Sequence, residues 1–281
     1  MRLMPLACVV LAFSTGCLDI VLGRESVRGS GRVSEERHRF AGLTGVELAT
    51  RGELEIRLGD DEGLQVTADD NLHEHLALTT AGGTLRIDTR PGVNLRPSRP
   101  IRYTLTAREI DFIELSSSGN ARATVLRTDR LELRLNSSGD LSVGSIQAGS
   151  VDISVNSSGD LSVDGVQADA VDVRMRSSGD VEMHDLRAAS LTVGISSSGD
   201  VRIRDGDVDN LDVALNSSGD YRGESVRSTR ATVALNSTGD VRLWAEESLD
   251  ATLNSSGSVS YRGDPEVRER STSTGRVRPI R

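Results

Sequence analysis

The chain has 281 residues, a formal net charge of −9 and only 2% aromatic residues, and its basic residues are all arginine. Aromatic side chains bury the most area per residue, so their scarcity argues against a thick globular core. It favours thin stacked layers of Val, Leu, Ile and Ala. The negative charge argues against nucleic acids and large anionic surfaces as partners, since the sequence offers no basic face that offsets it.

The first 16 residues predict an export signal. Arg2 gives a positive start, and residues 3–13 form an apolar run that is too short to span a bilayer. Small residues then precede Cys17 directly, which resembles the lipobox of bacterial lipoproteins. That resemblance implies that Cys17 is lipidated and anchors the mature chain to a membrane, and Leu18 after it favours the outer membrane. Ordinary signal cleavage is the alternative.

Two regions separate this signal from the repeats. Residues 17–39 are polar and without period, so we predict a lipid-anchored tether. Residues 40–115 contain short alternating segments such as Leu54-Glu55-Ile56, but no 20-residue period. We interpret them as an N-terminal β cap, or as an irregular first part of the same sheet stack.

From residue 116 a repeat dominates the chain. Ser-Ser-Gly-Asp, or a close variant, recurs at 20-residue and finally 18-residue spacing. Apolar residues alternate strictly before and after each glycine, as in a strand with one buried face. A coil of 20 residues cannot bury its own inner face, but stacked coils can. The pattern predicts an all-β fold, a parallel β-solenoid over residues 116–275 with three short strand-like sides per coil, followed by a C-terminal tail at residues 276–281.

The repeat also predicts how the corner is built. Glycine would supply a positive φ, and the serine two residues earlier would point inward and bond the backbone. Asn136, Asn156, Asn216, Asn236 and Asn254 would form an asparagine ladder in two blocks. The predicted turn ladder consists of Ser137, Gly139, Asp140, Asn156, Gly159, Asp160, Gly179, Asp180, Gly199, Asp200, Gly219, Asp220, Gly239 and Asp240.

The sequence resembles the bacterial head GIN domain family, whose members are described as auto-transporter adhesin head domains. The resemblance rests on residues 40–46, Asp69-Asp70-Asn71-Leu72, residues 83–87, the Ser-Ser-Gly-Asp repeats and residues 261–265. It implies a right-handed parallel β-helix in the cell envelope and brings no catalytic residues.

Three features of the sequence could indicate a calcium site, another metal site or a glycosidase active site, and each has a simpler structural explanation. The aspartate column from Asp140 to Asp240 could bind Ca²⁺, but we expect each carboxylate to cap its own turn. Residues 73–75 (His-Glu-His) are too few for a metal site, and we expect a surface loop there. A polysaccharide-active enzyme needs two carboxylates in distinct environments, whereas every acid of the column belongs to the repeat.

We therefore predict a non-catalytic envelope lipoprotein, an adhesin or scaffold that presents a β-helical surface to an unknown protein or polysaccharide. We expect no cofactor, no metal and no nucleic acid. A periplasmic sensor or structural module shares every feature, and an enzyme is the least favoured alternative. Tyr221 and Gly223, which replace a Leu/Val pair, mark the local break most worth inspecting for a site.

Overall fold

The structure is a computed structural model that describes residues 25–280, so the export signal and Cys17 lie outside the described residues. Apart from one short 3₁₀ helix at His73–His75, its regular elements are strands. These are β1 Glu25–Arg28, β2 Val33–Arg39, β3 Gly45–Leu48, β4 Glu53–Leu58, β5 Gly63–Asp69, β6 Leu76–Ala81, β7 Thr84–Thr89, β8 Val93–Arg96, β9 Arg102–Ala107, β10 Phe112–Leu115, β11 Asn120–Leu135, β12 Leu141–Val155, β13 Leu161–Met175, β14 Val181–Ile195, β15 Val201–Leu215, β16 Tyr221–Leu235, β17 Val241–Leu253, β18 Val259–Arg262, β19 Glu266–Ser271 and β20 Val277–Pro279.

Each regular coil is one strand that bends around the axis. In β12 the side chains of Leu141, Val143, Ile146, Val151 and Ile153 are buried. The inward alternation slips by one residue after Val143, and it resets again before Val151. These slips place the two bends, and the Ser-Ser-Gly-Asp corner makes the third. The predicted parallel β-solenoid with three sides per coil is therefore confirmed, with about eight turns of roughly 20 residues.

Neighbouring coils pair in parallel and in register. Ile153 lies opposite Val173, which lies opposite Val193 in the next coil. The same register holds along the other sides, so the core consists of columns of like aliphatic side chains. A column of this kind lets each coil bury the inner face that it could not bury alone.

The N-terminal region extends the stack but not in chain order. Strand β3 pairs in parallel with β7 on one side and β10 on the other, and β4 likewise lies between β9 and β11. The coil that holds β3 and β4 is thus inserted between a later coil and the first regular repeat. Of the two interpretations of residues 40–115, the irregular first part of the same stack agrees with this topology.

The predicted tether and tail are partly wrong. Strand β1 pairs in parallel with β8, and β2 pairs antiparallel with β5 from Val33↔Asp69 to Arg39↔Gly63. At the other end, β20 pairs with β18. All three strands are mostly exposed. They are held by backbone pairing at the ends of the stack, so they need no apolar period that the sequence could reveal.

The corner glycines make the closest contacts in the solenoid. A Cβ built on Gly179 would lie 2.2 Å from the carbonyl oxygen of Gly159 and 2.8 Å from that of Ser157. The other corner glycines from Gly139 to Gly275 meet the glycine carbonyl of the preceding coil at 2.0–2.3 Å. The predicted positive φ is wrong, because no corner glycine has one among the described residues. The corner needs glycine because no side chain fits between coils.

Replacing one corner glycine should therefore disrupt the stack locally. We expect Gly179→Ala to lower the free energy of unfolding by about 2–4 kcal/mol, since the clashing atoms are backbone on a rigid coil. Urea unfolding followed by circular dichroism measures this. Gly165→Ala is the matched control, because a Cβ at Gly165 meets nothing within 4 Å and its φ is not positive. Equal stability of the two variants would contradict the close-contact explanation.

Candidate functional site

The serine column of the corner points inward, as predicted. The Ser137 hydroxyl donates to the carbonyl of Ser117, and that of Ser177 donates to the carbonyl of Ser157. The same bond joins Ser273 to Ser255 at the end of the stack. These hydroxyls satisfy carbonyl groups that the turn would otherwise leave unpaired. At the corners between them, the hydroxyls of Ser157, Ser197 and Ser237 are buried without a partner among the described residues. The serine bonds therefore join coils at some corners only.

The aspartate column links coils and does not cap individual turns. The carboxylate of Asp160 accepts a hydrogen bond from the backbone N–H of Asp180 at 2.9 Å, and Asp180 accepts from the N–H of Asp200 at 2.8 Å. The same contact runs from Asn120 at the lower end to Ser258 at the upper end. The expectation that each aspartate caps its own turn is wrong, because the following coil lies within reach of the carboxylate.

One oxygen of each carboxylate is thus engaged within the stack. Only one arginine beside the column comes within ion-pair distance among the described residues, namely Arg222, which lies 3.0 Å from Asp220 and 3.4 Å from Asp200. No group of three or more His, Cys, Asp or Glu side chains within residues 25–280 is placed to hold a metal ion. The calcium interpretation of the column therefore gains no support from the geometry.

The asparagine ladder forms in two blocks, as predicted. Asn156 donates to Asn136 at 2.9 Å, and Asn236 donates to Asn216 and Asn254 to Asn236 at the same distance. With the aspartates and the exposed second serine of each repeat, this ladder forms a polar surface that we call the corner strip. Its groups repeat at the inter-strand spacing of about 4.8 Å. The serine and aspartate columns run through the regular coils, and the asparagine ladder is interrupted at Arg176 and Ser196. A surface that repeats in this way suits binding of a repetitive partner better than catalysis.

A second polar cluster fixes the N-terminal end of the chain. Asp69 is buried, and its carboxylate accepts hydrogen bonds from the N–H of Gly31 at 2.8 Å and from the hydroxyl and N–H of Ser98 at 2.6 and 2.8 Å. Asn71 accepts from the N–H of Ser30 and donates to the carbonyl of Arg28. We call this cluster the N-terminal clamp. It holds the turn between β1 and β2 against the cap.

The sequence indicated the clamp only indirectly. Residues 69–72 supported the family resemblance, but nothing in the sequence placed Asp69 beside Gly31 and Ser98. Burial opposes the charge on Asp69, yet the hydrogen bonds from Ser98 and Gly31 outweigh it and hold the pKa of this carboxyl below its usual value. A lowered pKa in the folded state stabilises the clamp above the usual aspartate pKa.

Neutralising the clamp should therefore loosen β1 and β2. Asp69→Asn places an amide N–H₂ against the donors on Gly31 and Ser98, and we expect a loss of about 2 kcal/mol in local stability. In the unmodified protein the same loss should appear as the pH falls below about 3.8, the usual aspartate value. Amide hydrogen exchange of residues 25–39 measures both effects. Asp61→Asn is the control, because Asp61 is exposed in the turn between β4 and β5, and exchange in Asp69→Asn that matches the unmodified protein would contradict the clamp.

At the break in the repeat, the large side chain of Tyr221 is accommodated because Gly223 has no side chain. The Tyr221 side chain is fully buried, and a Cβ on Gly223 would lie 2.3 Å from its hydroxyl oxygen. Tyr103 and Gly52 make a similar pair, with the Gly52 Cβ position 2.7 Å from the Tyr103 ring. In each case the ring occupies the space that the glycine leaves free. The break is therefore part of the core and does not form a surface site.

The Tyr221 hydroxyl has no hydrogen-bond partner among the described residues, and burial raises its pKa above the usual range. An unpaired buried hydroxyl costs stability. We expect Tyr221→Phe to raise the free energy of unfolding by about 1 kcal/mol, measured by urea denaturation. Gly223→Ala should instead destabilise the same coil, because the added methyl group has no space. A Tyr221→Phe protein that is less stable than the original would contradict the unpaired hydroxyl.

The His-Glu-His segment at residues 73–75 does not form the surface loop that the sequence predicts. His73 is buried in the short 3₁₀ helix, with its Nε2 atom 3.3 Å from the carbonyl oxygen of Ser34, so the predicted surface loop is wrong there. Among residues 25–280, no helix combines the length and apolar character required to cross a bilayer.

The comparisons with known proteins agree with this geometry. The family described as "Putative auto-transporter adhesin, head GIN domain" matches residues 42–207 and 153–265. The chain belongs to the head GIN domain family. No curated protein matches the chain at a significant level.

Solved structures share the fold of this head GIN chain. One described as a "putative adhesin" from Parabacteroides distasonis is 20% identical with a TM-score of 0.69, and the alignment covers 91% of this chain and 100% of the other. A "putative lipid binding protein" from the same species is 21% identical with a TM-score of 0.63, over 92% and 100%. A "putative adhesin" from Parabacteroides merdae is 15% identical with a TM-score of 0.64, over the same shares.

Proposed function

We propose that the protein is a non-catalytic lipoprotein of the cell envelope that acts as an adhesin or scaffold. The observation that carries the proposal is the corner strip, where asparagine, serine and aspartate columns repeat in register along the solenoid. Such a surface offers many equivalent hydrogen-bonding groups to an extended or repetitive partner. The adhesin descriptions of the family and of two structural relatives point the same way.

An enzyme is disfavoured by the environment of the acids. Glycoside hydrolysis depends on two carboxylates whose surroundings push their pKa values apart. Each aspartate of the corner strip accepts a hydrogen bond from a backbone N–H of the following coil. Within residues 25–280, Arg222 alone adds a charged neighbour, beside Asp200 and Asp220. Acids arranged in this way stabilise the stack and leave no distinct acid and base.

The lipid anchor accounts for how the solenoid would be displayed. Cys17 precedes Glu25 by eight residues, a span of at most about 27 Å when fully extended. The N-terminal clamp and the pairing of β1 with β8 hold this part of the chain at the cap. A lipid on Cys17 would therefore place the cap near the outer membrane and direct the opposite end of the solenoid away from it, by roughly 40 Å for about eight turns.

A periplasmic sensor or structural module remains the alternative, and it shares the fold and the anchor. The lipid-binding description of one relative has less support, because aliphatic side chains fill the interior of residues 25–280. A partner is therefore expected on the outer surface. Only the side of the membrane separates an adhesin from a periplasmic module.

Surface exposure decides between these functions. We expect protease shaving and antibody labelling of intact cells to detect the protein, and Cys17→Ala to release it from the membrane fraction. Cys8→Ala is the matched control, since Cys8 lies within the predicted export signal and its loss should leave anchoring unchanged. Protection of the protein until the outer membrane is broken would overturn the adhesin and favour the periplasmic module.

A further inference from the structure

Four arginines form a column on one face of the solenoid. Arg202 lies opposite Arg222, and Arg222 lies opposite Arg242. The column continues through Ser260 in β18 to Arg278 in β20. We call these side chains the arginine column. Its final member is out of the 20-residue period, because the last coils are 18 residues long.

This column costs stability in the isolated protein. Like charges directly opposite one another on adjacent parallel strands repel at the inter-strand spacing of about 4.8 Å. Arg222 is paired with Asp200 and Asp220, but Arg202 and Arg242 form no ion pair with any residue in the described part of the chain. Both are exposed. An anion bound along the column would relieve this repulsion.

The upper end of the column is concave. Arg242, Arg262 and Arg278 line a surface pocket of about 330 Å³ together with Ser260 and Glu224. The arginine guanidinium is planar and binds carboxylates through two parallel hydrogen bonds. Three guanidinium groups around one depression can therefore hold a carboxylate, and the column below can hold further ones along the same line.

The aspartates beside the arginine column restrict which functional groups a ligand can carry. Asp200, Asp220 and Asp240 each lie two residues before an arginine of the column, on the same outward side of the strand. One carboxylate oxygen of each accepts a hydrogen bond from the next coil. The second oxygen of Asp240 has no ion pair within residues 25–280, whereas those of Asp200 and Asp220 lie 3.4 and 3.0 Å from Arg222 and keep a lone pair for a hydroxyl donor. A ligand that fits both columns carries anionic groups and hydroxyl donors in alternation.

We propose that the arginine column binds a linear acidic polysaccharide, with sugar carboxylates on the arginines and sugar hydroxyls on the aspartates. This inference rests on the proposed adhesin function and names the class of its ligand. The aspartates disfavour a polyphosphate such as single-stranded DNA, because its phosphodiester backbone has no free hydroxyl groups to donate to them. A lipid surface at the predicted anchor is also disfavoured, because the column runs along the half of the stack that is farther from β1.

The only tryptophan of the chain offers a local probe. Trp244 lies two residues after Arg242 and opposite Arg262, and the guanidinium of Arg227 covers its ring at 5.1 Å. A ligand in the pocket should change the surroundings of this ring. Fluorescence of the full chain, purified in an uncharged detergent, therefore reports on binding at the column.

The test is a titration with polygalacturonate. We expect a saturable change in tryptophan fluorescence that weakens with added salt and is absent with neutral dextran. Arg242→Gln combined with Arg278→Gln should weaken binding about tenfold, as calorimetry can verify independently of the tryptophan. Arg268→Gln combined with Arg270→Gln removes the same charge from β19 at the same end of the stack, and should change affinity by no more than about twofold.

Three results would overturn the proposal. They are no saturable binding at low salt, equal weakening by the two double variants, and equally tight binding of single-stranded DNA or phosphatidylglycerol vesicles through the same arginines. None of these results bears on the adhesin function, which is tested by whether the protein is exposed on the surface of intact cells. If the protein is exposed but does not bind polygalacturonate, only the proposed ligand class is contradicted and the adhesin function stands. If the protein stays behind the outer membrane, the adhesin fails whatever the titration gives.

Discussion

The regular coils from Gly139 to Gly275 depend on the contact between a corner glycine and the glycine carbonyl of the preceding coil. A single methyl group at Gly179 would lie 2.2 Å from that oxygen, so the inter-coil spacing at the corner leaves no volume for a side chain. This contact brings the flanking serine, aspartate and asparagine of successive coils within hydrogen-bonding distance. The columns beside the glycine are therefore consequences of the close approach, and the aspartates in particular act between coils because the next backbone N–H is only 2.8–3.0 Å away.

The corner bonds all run in one direction, which makes the two ends of the stack different. In every regular coil the N–H of the corner aspartate donates to the coil before it, and at some corners a serine hydroxyl or an asparagine amide does so as well. The coil that contains Asp140 therefore needs acceptors below it. Asn120 at the start of β11 supplies one, and Glu114 of the irregular region supplies another. At the upper end the aspartate and asparagine columns end at Ser258 and Thr272, and the edge strand β20 carries Pro279, which discourages pairing with another chain.

The 20-residue period made the regular coils predictable from the sequence. The strands at the two ends of the stack have no such period and could not be predicted. Alternation around Leu141 or Val171 specifies which side chains face inward, because a slip of one residue would expose the whole set. Strand β2 has no such constraint, since its pairing with β5 is fixed by backbone bonds and by Asp69, which is remote in sequence. The φ of the corner glycines was also beyond prediction. Glycine serves both left-handed turns and close contacts, and only the stacked neighbour distinguishes the two.

The net charge of the chain does not predict the local charge of a surface that stacking creates. A net charge of −9 describes the chain as a whole, whereas a ligand meets the few groups that the stack brings together. Stacking converts residues 20 apart in sequence into neighbours, so Arg202, Arg222 and Arg242 become adjacent although each is isolated in its own repeat. Because the aspartates two residues earlier are already bonded to the backbone of the next coil, they neutralise the arginines only in part. The solenoid therefore keeps a local positive column on an acidic protein, along the half of the stack that is farther from the N-terminal clamp.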